Sequence, residues 1–259
     1  MNFNTKAHSM SETEILRVDR AGAVETVTLN RPTRLNALDQ PLADTLLAYF
    51  ESKRRDLDTR VILLAGAGRA FCSGADLKAG GTPDRLRDGP NGDWGLRDLL
   101  RAMRRCPQPI VALVQGAAAG GGLAMVLAAD IIVAGESAVF HPAFIKIGLS
   151  ATELGVSWRL QRTIGLSRAR EMLLTGRPMG AAEALRTGLV SSVVPDAELG
   201  AYGHGLADDM LKASPDALRV SKRTFDATLE IPSFESAIEL EERGQIQIIR
   251  AGAAARAAG

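Results

Sequence analysis

The chain has 259 residues, 46% hydrophobic and 24% charged, which is ample apolar material for one large domain, or for one domain with an appendage. With 31 Lys and Arg against 30 Asp and Glu, the formal charge is +1, which gives no support to a nucleic-acid partner. Aromatics are only 4%, so Ala, Leu, Val and Ile must fill the core, and no apolar run approaches membrane-spanning length.

Residues 1–12 read as a loose polar arm with no apolar leader segment. Residues 15–19 and 24–30 predict two strands around Ala21-Gly22, a hairpin signal. Leu42, Leu46, Leu47 and Phe50 recur at helical spacing, predicting a helix over 39–57 with Asp39 as its cap. Residues 61–65 form a continuous apolar run, as a buried parallel strand requires. A Gly-, Pro- and Asp-rich stretch at 79–95 predicts a long surface loop of the kind that often serves as a lid. A helix is expected over 94–105, where Arg97, Arg101, Arg104 and Arg105 read as a solvated face. A strand at 109–114, a helix at 121–129, and strands at 131–134 and 138–140 follow, so α/β is the fold class. From Thr152 onward helices dominate: 152–164, 167–175, 181–187, 201–212, 215–229 and 233–250, with a frayed Ala/Gly tail after that.

Two stretches carry the chemistry: RAFCSGAD (69–76) and GAAAGGGLAMVLAAD (116–130). Each is an apolar strand running through small residues into a helix start, where unsatisfied backbone N–H groups and the helix dipole favour an anion. Two such turns facing each other make an oxyanion hole for a carbonyl that gains negative charge, and so point to acyl chemistry. Tight strand–helix packing alone accounts for either turn taken singly. Cys72 and Cys106 have no pairing or metal spacing, and no local histidine supports Cys72 as a nucleophile. A reduced, cytoplasmic setting is the expectation. There is no GxSxG elbow, GxGxxG fingerprint, P-loop or metal-ligand cluster in the sequence.

Four motifs, NRPTRLNALD (30–39), GRAFCSGADL (68–77), GAAAGGGLAMVLAADIIVA (116–134) and LTGRPMGAAEALRTGLVSSVV (174–194), resemble the crotonase superfamily, whose best-known members are enoyl-CoA hydratases and isomerases. The resemblance covers roughly residues 14–230 in family order. It implies a spiral of ββα repeats over 13–195, a helical region at 196–250 that builds trimers or hexamers, and an acyl-CoA thioester substrate. Coenzyme A enters as part of that substrate, with no other cofactor and no metal. By motif position the oxyanion donors would be the N–H groups of Ser73 and Gly121. Arg34, Leu35, Ala37 and Leu38 would lie along CoA, together with Ala75, Asp76, Leu77 and Gly120. Lys222 and Phe225 match positions that help hold CoA. Trp94, Met125 and Phe144 are candidates to line the acyl pocket, though ordinary core packing explains each equally well.

The hydratases of that superfamily use two glutamates, and the corresponding positions here are Ala124 and Phe144. Neither side chain moves a proton, so isomerisation or another proton shift ranks above hydration. Glu153, in GLSATELG, falls close to where some members place an acidic residue, and a desolvated carboxylate there would shuttle a proton. Ser150-Ala-Thr-Glu153 also spells a capping box, in which Glu153 only satisfies a helix entrance. His141 is the other candidate base. The alternatives are a catalytically silent acyl-CoA binder, or a thioester hydrolase or decarboxylase on the same fold.

Overall fold

The computed structural model describes residues 14–76 and 95–258. The expected polar arm, Leu77, most of the expected loop and Trp94 lie outside them.

Val- and Leu-rich segments build the central sheet. Strands β1 (Leu16–Ala21) and β2 (Val24–Leu29) form the predicted hairpin, pairing antiparallel with Leu16 opposite Leu29. β3 (Val61–Gly66), β4 (Ile110–Val114), β6 (Ile131–Gly135) and β9 (Ser192–Val194) add on in parallel, giving the order β1-β2-β3-β4-β6-β9. In β3 and β4 every residue but Ala65 and Gly66 is a buried hydrophobe, because both faces are covered. Ile62, Leu64, Ile110, Ala112 and Val114 join the main core, while Val61, Leu63, Val111 and Leu113 join a second one.

Helix α1 (Gln40–Ser52) starts where predicted: the Asp39 carboxylate accepts from the Leu42 N–H at 3.1 Å. Helices α2 (Leu96–Arg105) and α3 (Gly121–Ala128) pack in the main core with it. Helices α4 (Val156–Ile164), α5 (Leu166–Thr175) and α6 (Ala181–Thr187) follow, and α7 (Leu199–Leu211) covers the second core. Helices α8 (Pro215–Thr228) and α9 (Phe234–Ala258) complete the described chain, α9 running through the tail expected to fray.

A narrower sheet stands beside the first. It joins β5 (Ala117–Ala119), β7 (Val139–His141) and β8 (Met179–Gly180), and single bridges extend it outward, Cys72 to Ala118 and Ala75 to Leu38. The three-residue strand inside GAAAGGG is invisible to propensity, since alanine disfavours strands. Its pairing partners hold it.

One predicted element changes. The helix expected from Thr152 begins only at Val156, after the left-handed residues Leu154 (φ 53°) and Gly155 (φ 74°). Ser150 Oγ accepts from the Thr152 N–H at 3.1 Å, two residues on rather than three, so no capping box forms and the Glu153 side chain is not used as a cap.

Candidate active site

The two glycine turns lie side by side. Phe71 and Cys72 donate their N–H groups to Gln115 and Ala117 carbonyls at 2.8 and 3.0 Å, and Ala119 donates back to Cys72 at 2.9 Å. Glycines are needed at the crossing: a Cβ on Gly122 would sit 2.4 Å from the Cys72 carbonyl oxygen. One on Gly74 would lie 2.7 Å from the Ala119 carbonyl oxygen and 3.6 Å from the Gly121 nitrogen.

On its other edge the first turn is stitched to residues 35–38. Ser73 N–H donates to the Leu35 carbonyl at 3.0 Å, Leu38 N–H to Gly74 and Asp76 N–H to Leu38, both at 2.7 Å. This corrects the expected donor pair. The Ser73 N–H is already spent on Leu35 and faces away from the second turn. Leu38 bonds the residues on either side of Ala75, so the N–H of Ala75 itself points to the opposite edge. There β5 has just ended, and the Ala75 N–H makes no hydrogen bond among the described residues.

Gly121 opens α3, and its N–H is one of the orphan donors of that helix. Gly120 holds φ 50°, ψ −115°, a conformation suited to glycine, and donates its own N–H to the His141 carbonyl at 3.0 Å. The unspent donors are therefore Ala75 and Gly121. Apolar groups surround them. Leu38 Cδ1 and Leu96 Cδ1 lie 2.9 and 3.6 Å from where a Gly121 Cβ would be, and Phe144 Cε1 lies 4.0 Å from that of Gly120. A low-dielectric wall of this kind strengthens any charge the donors meet.

The stretch carrying the other expected CoA contacts is bolted from within. Leu35 and Asn36 are left-handed (φ 51° and 53°). The fully buried Asn36 amide donates to the Ala67, Ala70 and Phe71 carbonyls at 2.9, 2.8 and 3.1 Å, and its oxygen accepts from Arg31 N–H at 2.9 Å. Arg31 pairs with Asp39 at 2.7 Å, and Arg34 with the buried Asp76 at 3.0 Å. Ala37 and Leu38 are buried, while Arg34 is exposed beside Asp76. Sequence reasoning passed over Arg31 and Asn36. The signal was a lone Asn two residues past a Thr-Arg turn, in the residue class that tolerates positive φ.

A cavity of about 500 Å³ follows the seam of α2, α3 and α4. Its apolar wall includes Leu100, Ala124, Leu127, Leu154 and Trp158. Ala124, one helical turn beyond Gly121, is thus in the cavity wall, but Met125 points into the core instead. Glu153 stands at the seam, its Oε1 3.7 Å from Arg97 Nη2 and its side chain about one quarter exposed. Arg97 is the neighbour of Leu96, which flanks Gly121.

The other two expected CoA contacts lie on α8. Lys222 is buried, donating to the Gln108 carbonyl and pairing with Asp130, both at 2.8 Å. It fastens α8 to the core, since a buried ammonium needs such partners. Phe225, three residues on, is exposed. His141 contributes its carbonyl to Gly120; burial first, then Lys146, lowers its imidazole pKa and so favours the neutral ring. Burial pushes the Cys72 thiol up to about 12 against a stabilising Gly74 N–H, so Cys72 is core filler and not a nucleophile.

A family model described as enoyl-CoA hydratase/isomerase matches residues 19–253. The chain belongs to the enoyl-CoA hydratase/isomerase family, within the crotonase superfamily. A probable enoyl-CoA hydratase echA12 of Mycobacterium bovis is 41% identical over 229 residues, covering 86% of this chain and 80% of that one. A 1,2-epoxyphenylacetyl-CoA isomerase of Escherichia coli is 34% identical, over 84% of each chain. Among solved structures, a probable enoyl-CoA hydratase/isomerase from Mycobacterium abscessus superposes with TM-score 0.82 at 36% identity, covering 90% of both chains. A monofunctional enoyl-CoA isomerase from M. smegmatis gives 0.75 at 39% identity, over 87% of this chain and 99% of its own. The crotonase fold expected from the motifs is the fold observed, and the protein is an enzyme of this family.

Proposed function

We propose that this enzyme moves a proton on an enoyl-CoA thioester, shifting its double bond rather than adding water. The observation that carries the reading is the pair of unspent N–H groups, Ala75 and Gly121, in a wall of Leu38, Leu96 and Phe144. A thioester carbonyl seated there gains negative charge as its α- or γ-proton leaves, and the two donors stabilise the enolate. One such donor is typically worth about 2.7–4 kcal/mol in the transition state.

Hydration needs side chains that activate water. At the two positions where the superfamily's hydratases carry glutamate, this chain has buried Ala124 and Phe144. Glu153 supplies the proton-moving carboxylate: it is free of capping duty and held by Arg97 at the seam leading from Gly121. Removal of a proton from the α-carbon and its return to the γ-carbon by one carboxylate, or the reverse, completes an isomerisation without water or any cofactor beyond the CoA of the substrate. CoA itself would run along residues 34–38 and Ala75–Asp76, with Arg34 free to swing from Asp76 to a phosphate.

We also read the exposed Phe225, Phe234, Ile238 and Ile249 on α8 and α9 as part of a subunit interface of a trimer or hexamer, since these two helices leave large apolar side chains uncovered in the single chain. No helix among the described residues is long and apolar enough to cross a membrane, in keeping with the cytoplasmic setting we assign.

The test is to give the enzyme 3-enoyl-CoA and 2-enoyl-CoA separately and identify products by mass. Interconversion of the two without a gain of water is expected. Formation of 3-hydroxyacyl-CoA as the main product would overturn the assignment.

A further inference from the structure

The arginines that the sequence presents as a solvated face are not all facing bulk water. Arg97, Arg101, Arg104 and Arg105 lie on one side of α2, and all four line the cavity that runs from Ala124 to Ala128; Arg159 of α4 lines it from across the seam. Most of this charge is answered. Arg97 pairs with Glu153 at 3.7 Å, Arg101 with Asp98 at 3.0 Å, and Arg104 with Asp130 and Asp226. Arg105 and Arg159 are different: neither guanidinium meets a carboxylate among the described residues, and of the two Arg105 is exposed and Arg159 half-buried. Burial lowers the Arg104 pKa, with Asp130 opposing that and the like charge of the neighbouring Arg159 adding to it.

A half-buried guanidinium with no acid, beside a second cation, in the wall of a 500 Å³ cavity, is an arrangement completed by an anion. The cavity begins one helical turn past the oxyanion donor Gly121 and follows α3 to Ala128, about 10 Å from Gly121 along the helix. Its lining includes none of residues 34–38, and it shares α3 with the donor Gly121, so we route the acyl tail, and not CoA, into it. Trp158 beside Arg159, with Arg162 stacked over its outer face at 4.2 Å, makes a flat wall for the intervening carbons.

We propose that the preferred substrate is an enoyl-CoA whose acyl tail ends in a carboxylate, received by Arg159 with Arg105 at the cavity mouth. This rests on the proton-shift reading for the orientation of the substrate.

Two enoyl-CoAs of equal chain length, one ending in a methyl group and one in a carboxylate, test it. Wild type should show roughly 10- to 100-fold higher kcat/KM for the carboxylate, the range of a charge-assisted pair. Arg159→Gln should remove most of that preference through KM while the methyl substrate stays within about twofold; Arg159→Lys should restore part of it. Binding of the matched saturated thioesters, followed by calorimetry, reads the same preference even if no double bond moves, which separates this proposal from the reaction assigned above. Equal treatment of the two tails by wild type would overturn it. So would an Arg159→Gln variant that weakens both thioesters and free CoA alike, because the guanidinium would then be holding a CoA phosphate.

Discussion

The two ends of the candidate site are built from different materials. At the donor end everything is backbone: Ala75 and Gly121 N–H groups, set by hydrogen bonds from Cys72, Leu38 and Gly120 and by glycines that leave no room for a Cβ. At the cavity, where we place the acyl tail, the lining is mostly side chain: Ala124, Leu127, Trp158 and the arginines around them. Backbone donors survive most substitutions and fix what reaction is possible. Side chains change without disturbing the fold and decide which acyl group undergoes it. Glu153 stands where the two meet.

The sharpest way to break the comparison is at the crossing itself. Gly122→Ala places a Cβ against the Cys72 carbonyl, a backbone atom, whereas Gly121→Ala meets only the movable ends of Leu38 and Leu96. Gly122→Ala should lose about 3 kcal/mol or more of stability, or fail to fold, and Gly121→Ala much less. Thermal unfolding of both would show it; equal Tm values would contradict the crossing geometry.

Glu153→Gln probes the junction. It should lower kcat by about 10²-fold or more while acyl-CoA affinity, measured by calorimetry, changes only a few-fold. Next in size is Asn36→Ala, which strands the Ala67, Ala70 and Phe71 carbonyls and puts alanine at positive φ. A loss of about 2–4 kcal/mol in denaturant unfolding is expected, because the Asn36 amide is fully buried in this network.

Behind the sheet, a buried network sets the pH range. Burial opposes the charge on Glu25, yet Lys53 and the hydroxyls of Tyr49 and Thr59 overcome it and hold the carboxyl below its usual range; Asp56 is lowered by Lys53 and Thr59 against the same penalty. Burial likewise opposes Lys53, whose acids raise it above the usual lysine value. Depressed carboxylates give stability that is present above their unfolded pKa and lost as pH falls through the lower folded value. A raised lysine gives stability present below its unfolded pKa and lost as pH rises through the folded value. Unfolding free energy should therefore hold a plateau between about pH 5 and 9 and fall on both sides. Lys53→Met should flatten the alkaline fall. The smallest effect concerns Cys72 and Cys106, both buried: a thiol reagent at pH 8 should label neither until the protein is denatured.

Much of this was legible in the chain. Apolar runs named β2, β3, β4 and β6, and Asp39 announced its helix. Four motifs pointed to the fold and to the neighbourhood of the donors. What was not legible is which edge a given N–H faces. Ser73 and Ala75 are two residues apart in a strand-like turn, and only the pairing with residues 35–38 decides that one N–H is spent and the other open. The same limit applies to Lys222, whose burial against Asp130 comes from a partner 92 positions away, and to Arg159, whose meaning depends on α2 lying opposite. The capping box failed locally because two left-handed residues delay the helix.

The central claim is that Ala75 and Gly121 stabilise an enolate that Glu153 forms and quenches. Solvent deuterium uptake into bound acyl-CoA, read by mass spectrometry for wild type and Glu153→Gln, tests it most directly. Uptake at the α- or γ-carbon by wild type, reduced about 10²-fold or more in the variant, is the predicted result. Wild type that binds enoyl-CoA yet incorporates no deuterium, or a variant that exchanges as fast as wild type, would contradict it.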